Sequence, residues 1–155
     1  MDRVVKVPTA GEILPGFEVD VTSDRVRAYA GAASDYNPIH LDAEFAATTP
    51  FGGTVAHGML VLAYLTRIMT GRFGIAWLQG GTVNAKFRAP ARVGTRVRAD
   101  GVVRSVVEHG DVAVVECDLQ ASDGEGQALV TVTAQVTLPR EVISHGTSEH
   151  GDFVR

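Results

Sequence analysis

The sequence predicts an α+β chain in which one buried helix is covered by a curved antiparallel sheet. Three observations point there. From His57 to about Arg72, apolar residues (Met59, Leu60, Val61, Leu62, Ala63, Leu65, Ile68 and Met69) cover nearly the whole circumference of a helix, which marks a core helix. Residues 80–87, 96–107, 112–121 and 128–138 are rich in Val, Thr and other strand formers. Turn signals at residues 108–111 (Glu-His-Gly-Asp) and 122–126 (Ser-Asp-Gly-Glu-Gly) separate the last three of these. Nothing else in the chain is apolar enough to cover the helix, so the strands must do it.

Size and composition set the frame. The chain has 155 residues, which suits one domain with one sizeable core. A net charge of −4 gives no reason to expect a nucleic-acid partner. No membrane span is expected, because the apolar run is short and broken by Arg67. The first residues carry charge without an apolar core, so no secretory signal is read. One cysteine, Cys117, cannot form an internal disulfide, which is compatible with a reducing, cytoplasmic setting.

In chain order, Val4, Val5 and Val7 suggest a strand end, stopped by Pro8 and Gly11. Leu14-Pro15-Gly16 reads as a turn, and residues 17–21 then alternate like a half-buried strand. Ser23 is the expected cap of a helix whose buried face carries Val26, Tyr29, Ala30 and Ala33. That helix should stop near Ser34, since the residue before Pro38 disfavours helix and Pro38 lacks a donor. Residues 35–40 are then expected as an ordered loop. Asp42 should cap a short helix over 43–47, and residues 50–53 break the chain again. Gly71 and Gly74 are stop signals for the core helix. In the strands, Val112, Val114, Glu116 and Asp118 alternate with Ala113, Val115, Cys117 and Leu119. Thr131, Thr133 and Gln135 likewise alternate with Val130, Val132, Ala134 and Val136, predicting one covered face. Cys117 reads as a small core residue. Past Pro139 the composition turns polar, giving one domain over residues 1–139 and a flexible tail over 140–155. His145 and His150 in that tail have no familiar metal spacing.

Chemistry concentrates between residues 34 and 60. Asp35 and His40 bracket a rigid Asn37-Pro38. An imidazole exchanges protons near neutral pH, and a neighbouring carboxylate can orient it or handle a proton itself. Asn37 can hold the turn through nearby backbone. The unpaired N–H groups at the start of the core helix, with Gly58 leaving the backbone open, suit an oxyanion. Together these suit proton transfer beside a thioester carbonyl. The plainer readings are that Asp35 caps a backbone N–H, that His57 is a structural histidine bonding backbone, and that Asp42 is only a cap. A metal on Asp35, His40 and His57 would lack the usual helical His pair or a Cys cluster.

Residues 29–46, which include Ser-Asp35-Tyr-Asn-Pro-Ile-His40-Leu-Asp, resemble the hydratase motif of the MaoC-like, (R)-specific enoyl-CoA hydratases. Residues 51–60 (Phe-Gly-Gly-Thr-Val-Ala-His-Gly-Met-Leu) are similar to that family's second block, and Phe87-Arg-Ala-Pro90 to a later strand. The resemblance covers roughly residues 12–138. It departs at Ser34, where the motif usually has Gly. It implies a hot-dog fold, a long helix wrapped by an antiparallel sheet, usually dimerised through the sheets. It implies a catalytic Asp35/His40 pair adding water across an enoyl thioester such as an acyl-CoA, with Asn37 shaping the site and the Gly58 N–H binding the thioester oxygen. Thr66 stands where related hydratases often carry Ser near the catalytic Asp. No metal or organic cofactor is required. Dehydration of a 3-hydroxyacyl thioester on acyl carrier protein, thioester hydrolysis, and a non-catalytic acyl-binding subunit of a heterodimer are the alternatives.

Overall fold

The computed structural model describes residues 5–139. Val4 and the whole predicted tail, with His145 and His150, lie outside the described residues. The elements run β1 (Ile13–Asp20), α1 (Ser23–Ala33), α2 (Pro38–Leu41), α3 (Ala43–Ala47), α4 (Gly58–Gly80), β2 (Thr82–Phe87), β3 (Arg96–His109), β4 (Val112–Ser122) and β5 (Ala128–Pro139). One five-stranded sheet has the order β1-β3-β4-β5-β2, with every pairing antiparallel. This is the expected α+β arrangement. Val5 and Val7 belong to no strand; they pack half-buried against the core.

The alternation read in the sequence sets the inner face. Ala113, Val115, Cys117, Leu119 and Ala121 of β4 are buried, as are Val130, Val132, Ala134, Val136 and Leu138 of β5. They meet Leu65, Ile68, Met69 and Phe73 of α4. Fully burying each large apolar side chain contributes about 1.5–3 kcal/mol, so this layer dominates the stability. Outward-facing Arg104 is ion-paired with Glu116 and Asp118 at 2.8 Å each. Such exposed pairs add little stability.

Several local expectations are corrected. Leu14-Pro15-Gly16 does not turn the chain. It forms a bulge inside β1, with the register to β3 shifting between Leu14 and Phe17. Gly16 is needed there because a Cβ would lie 2.5 Å from the Ala99 carbonyl oxygen. The cap of α1 is Thr22 rather than Ser23: its hydroxyl accepts from Arg25 N, and Ser23 already begins the helix. Within α1, Val26 and Ala30 are buried, whereas Ala33 is exposed. Helix α4 runs on past Gly71 to Gly80, with a kink at Gly74, where φ is 54° and ψ −130°. Only glycine adopts such a backbone readily, so Gly74 acts as a break between helical segments rather than a terminus.

At 23 residues, with a mean hydropathy of 1.2 over its best window, α4 is longer and more apolar than the sequence suggested, enough by those measures to cross a membrane. Here it serves as the core helix, burying nine residues from Leu60 to Trp77. Its cover is incomplete. Met59 remains 56% exposed, and Ala63 and Thr70 on the same stripe are also exposed.

Candidate active site

The site is a corner where the end of α1, the one-turn α2 and the start of α4 meet. Helix α1 ends at Ser34, whose left-handed backbone (φ 55°) turns the chain away. Its Ser replaces the Gly usual in the motif it resembles, and Gly would hold this conformation with less strain. Asp35 Oδ1 accepts from Asn37 N at 3.3 Å, and Asn37 Oδ1 accepts from Ile39 N at 3.1 Å. Asn37 therefore holds the turn as predicted, and the capping read for Asp35 is real. Residues 35–37 form the expected loop, but from Pro38 the chain is α2, because Pro38 sits at the first helical turn, where its missing N–H costs nothing and its fixed φ favours helix. Proline starts a helix here that it could not have continued. Asp42 caps α3 by accepting from Phe45 N at 3.0 Å.

His40, half-buried on α2, has its Nδ1 2.7 Å from the Val55 carbonyl oxygen. A carbonyl only accepts, so Nδ1 donates a proton to it, which leaves Nε2 as the ring nitrogen able to exchange one. His57 is 2% exposed, and its Nε2 donates to the Asp35 carbonyl oxygen at 3.0 Å. The two imidazoles stack at 3.7 Å between centroids and 27° between planes. Tyr29 lies 4.9 Å from the His57 ring. A carboxylate oxygen of Asp35 and one ring nitrogen each of His40 and His57 lie within 4.8 Å of one another.

That cluster has the donor types of a metal site, but its geometry is poor for one. The ring lone pairs lie in nearly parallel planes and run side by side rather than meeting at the ~2.0–2.1 Å a metal–imidazole bond requires. One nitrogen of each ring is also engaged with a carbonyl. The arrangement is better suited to protons: an exposed carboxylate and an imidazole share one corner.

Gly58 begins α4 immediately after His57. The Leu60 N–H already donates to the His57 carbonyl at 3.0 Å, but Gly58 and Met59 open the helix, where N–H groups have no intrahelical acceptor, and His57 supplies no side-chain cap. These amides and the helix dipole favour negative charge at this end. The space over Gly58, expected from the sequence to be unobstructed, is closed on one side. A Cβ there would meet the Phe87 ring at 2.9 Å. Phe87, at the end of β2, thus lines this corner, and the sequence offered no sign of it beyond the Phe-Arg-Ala-Pro block. Thr66 lies two turns into α4, where its hydroxyl donates to Ala63 O at 3.2 Å in its own helix rather than to Asp35. The structure therefore brings Asp35, Asn37, His40 and Gly58 to one corner, and adds His57, the Val55 carbonyl and Phe87.

The sequence matches the MaoC like domain over residues 8–125. It is 33% identical over 121 residues to the 3-hydroxyacyl-thioester dehydratase Z of Mycobacterium tuberculosis, covering 76% of this chain and 80% of that protein. It is 33% identical over 118 residues to the (R)-specific enoyl-CoA hydratase of Aeromonas caviae, covering 74% and 84% respectively. The solved structure of the (R)-hydratase from A. caviae involved in PHA biosynthesis aligns with a TM-score of 0.72 at 28% identity, covering 85% of this chain and 98% of that one. By its sequence, its helix-under-sheet architecture and these relatives, the chain belongs to the MaoC-like domain family of hot-dog hydro-lyases.

Proposed function

We propose that the protein catalyses reversible syn hydration of a trans-2-enoyl-CoA to an (R)-3-hydroxyacyl-CoA, with Asp35 and His40 acting on one water. The observation that carries this reading is the clustering of the Asp35 carboxylate with the His40 and His57 rings, His57 being the N-cap residue at the start of α4. One member of the pair takes a proton from water as its oxygen bonds to C3. The C2=C3 electrons move toward the thioester carbonyl, and the Gly58 N–H holds the resulting enolate oxygen. The other member delivers a proton to C2. A proton passed between the two restores the pair, and one water has been added. Asn37 holds the loop that presents Asp35, and Thr66 plays no direct part in that presentation.

The test is to follow loss of the enoyl-thioester absorbance across a panel of acyl chain lengths and to determine the configuration of the product. Absence of hydration on every chain length, or release of free thiol instead, would sink the reading. Equal assays on acyl-CoA and acyl carrier protein thioesters separate hydratase from carrier-protein dehydratase. The resemblance of the chain to a protein named as a thioester dehydratase supports the thioester in either case.

The same reading includes a homodimer. Edge strand β2 pairs only with β5 and is largely exposed on both faces. Val83 and Phe87 on it are 44% and 55% exposed, and Met59 of α4 is next to the Gly58 that Phe87 touches. Apolar exposure along an open edge favours cover by a second copy. The molar mass of the protein in solution tests it, and a monomer at micromolar concentration would refute it.

A further inference from the structure

We propose that His57 is a positioning residue that holds the acid–base pair and the oxyanion-binding amide in one register. This rests on the proposed roles of Asp35, His40 and Gly58. His57 touches all three parts of the corner. Its Nε2 donates to the Asp35 carbonyl oxygen at 3.0 Å, its ring lies on the His40 ring at 3.7 Å, and its own carbonyl is bonded to Gly58 as the next residue in the chain. His40 is thereby held twice by one short segment, through its Nδ1 on the Val55 carbonyl and through its face on His57.

The side chain is poorly chosen for stability alone. Nδ1 of His57 is buried and has no hydrogen-bond partner among the described residues. Leaving a buried polar atom unsatisfied typically costs about 1–3 kcal/mol. A phenylalanine would keep a flat face against His40 and would remove the orphaned nitrogen. What it would lose is the donor to Asp35, so that donor is what the histidine is retained to provide. Asp35 belongs to an exposed turn, and within it only its own Oδ1 to Asn37 N and its N to Ala30 O tie it locally. Among the described residues, the bond from His57 is its one hydrogen bond to the segment that carries Gly58. Without it the carboxylate is free to move relative to both His40 and the amide. A misplacement of about 1 Å can cost about 100-fold in rate.

The experiment compares wild type with His57→Phe and His57→Gln on an enoyl-CoA substrate, measuring kcat, KM and the unfolding midpoint. Glutamine retains a side-chain N–H that can reach the same carbonyl. The expected result is that His57→Phe keeps or raises the unfolding midpoint and lowers kcat about 10- to 100-fold. KM should stay within about threefold, and His57→Gln should recover at least about threefold of the lost kcat. Wild-type kcat in folded His57→Phe overturns the proposal, as does a loss of kcat matched by a loss of folded protein. Should His57→Phe not fold, His57→Gln and His57→Leu differ chiefly in the donor, and equal kcat values for those two overturn it. Asp35→Asn measured alongside separates the failures. Loss of turnover in Asp35→Asn with none in the His57 variants removes only the positioning role, whereas retained turnover in Asp35→Asn removes the acid–base reading beneath it.

Discussion

The inner face of β3, β4 and β5 and the corner formed by α1, α2 and α4 bury side chains on different terms. On the sheet, Cys117, Ala134 and Val115 are fully buried among apolar neighbours. In the corner, a buried histidine leaves one nitrogen unpaired, a non-glycine residue adopts a positive φ, and two imidazoles stack. The sheet gains from filling space. The corner accepts strain and unsatisfied polarity, and in return keeps a carboxylate, an imidazole and a helix N-terminus close together. Functional sites commonly break local rules in this way.

Substitutions can sharpen that contrast. The largest effect is expected from Asp35→Asn and His40→Ala, each lowering enoyl-CoA hydration by about 10²–10⁴-fold, the range for general acid–base groups. Their circular dichroism spectra and unfolding midpoints should stay near wild type, since Asp35 is exposed and His40 half-buried. Near-wild-type rates in either variant would remove the corner's assigned role.

The same small change, Gly to Ala, should then behave oppositely in the two regions. At Gly58 the new methyl meets the Phe87 ring, which is largely exposed and free to swing aside. Gly58→Ala should therefore keep its stability and lose about 10- to 100-fold in kcat, because the amide is crowded where the oxyanion would sit. At Gly101, on β3, the methyl would lie 2.5 Å from Leu119 Cδ2 and 3.1 Å from Leu14 Cδ1, both buried. Gly101→Ala should cost about 1–3 kcal/mol in denaturant unfolding and leave the rate per folded molecule unchanged. If both variants lost stability and rate together, the separation of the two regions would be false.

Two smaller effects probe the core itself. Tyr64 buries its hydroxyl with no hydrogen-bond partner among the described residues, and burial raises its phenol above the ordinary range. Tyr64→Phe should raise stability by about 1 kcal/mol, read from the shift of the urea midpoint. Burial likewise pushes the Cys117 thiol from 9.0 up to about 11. The folded state thus holds its proton more tightly than the unfolded one, and the associated stability is present below pH 9 and lost as pH rises toward 11. Near pH 8 the folded thiol should react far more slowly with a thiol reagent than after unfolding, and equal rates would show that the sheet opens readily.

Much of the fold was legible because it depends on short-range pattern. Period-two alternation in β4 and β5 and the cap at Asp42 each reflect a few neighbouring residues. The misreadings had local causes too. Thr22 and Ser23 are equally good caps, and the side chain that reaches an amide is decided by the strand leading in. Pro15-Gly16 serves a turn or a bulge alike, and pairing with β3 selects the bulge. Pro38 was read as a helix breaker when it is a helix starter. In the corner, Asp35, Asn37, His40 and Gly58 stood out by residue type and spacing, and His57 was read as a histidine bonding backbone, as it does through Nε2, whereas its stacking on His40 and the role of the Val55 carbonyl did not show.

The sequence by itself determined which residues of β4 and β5 face inward, that the long apolar helix is the core helix, and which polar groups lie near one another along the chain, since these follow from backbone sterics and from periodicity over a few residues. Only the tertiary structure decided that His57, 17 positions along the chain from His40, stacks against it, that Thr66 bonds its own helix instead of Asp35, and that β2 is left at the sheet edge. Those outcomes depend on how far and at what angle packed elements approach. That is set by the summed volume of many side chains in the core, and no local stretch of sequence encodes it.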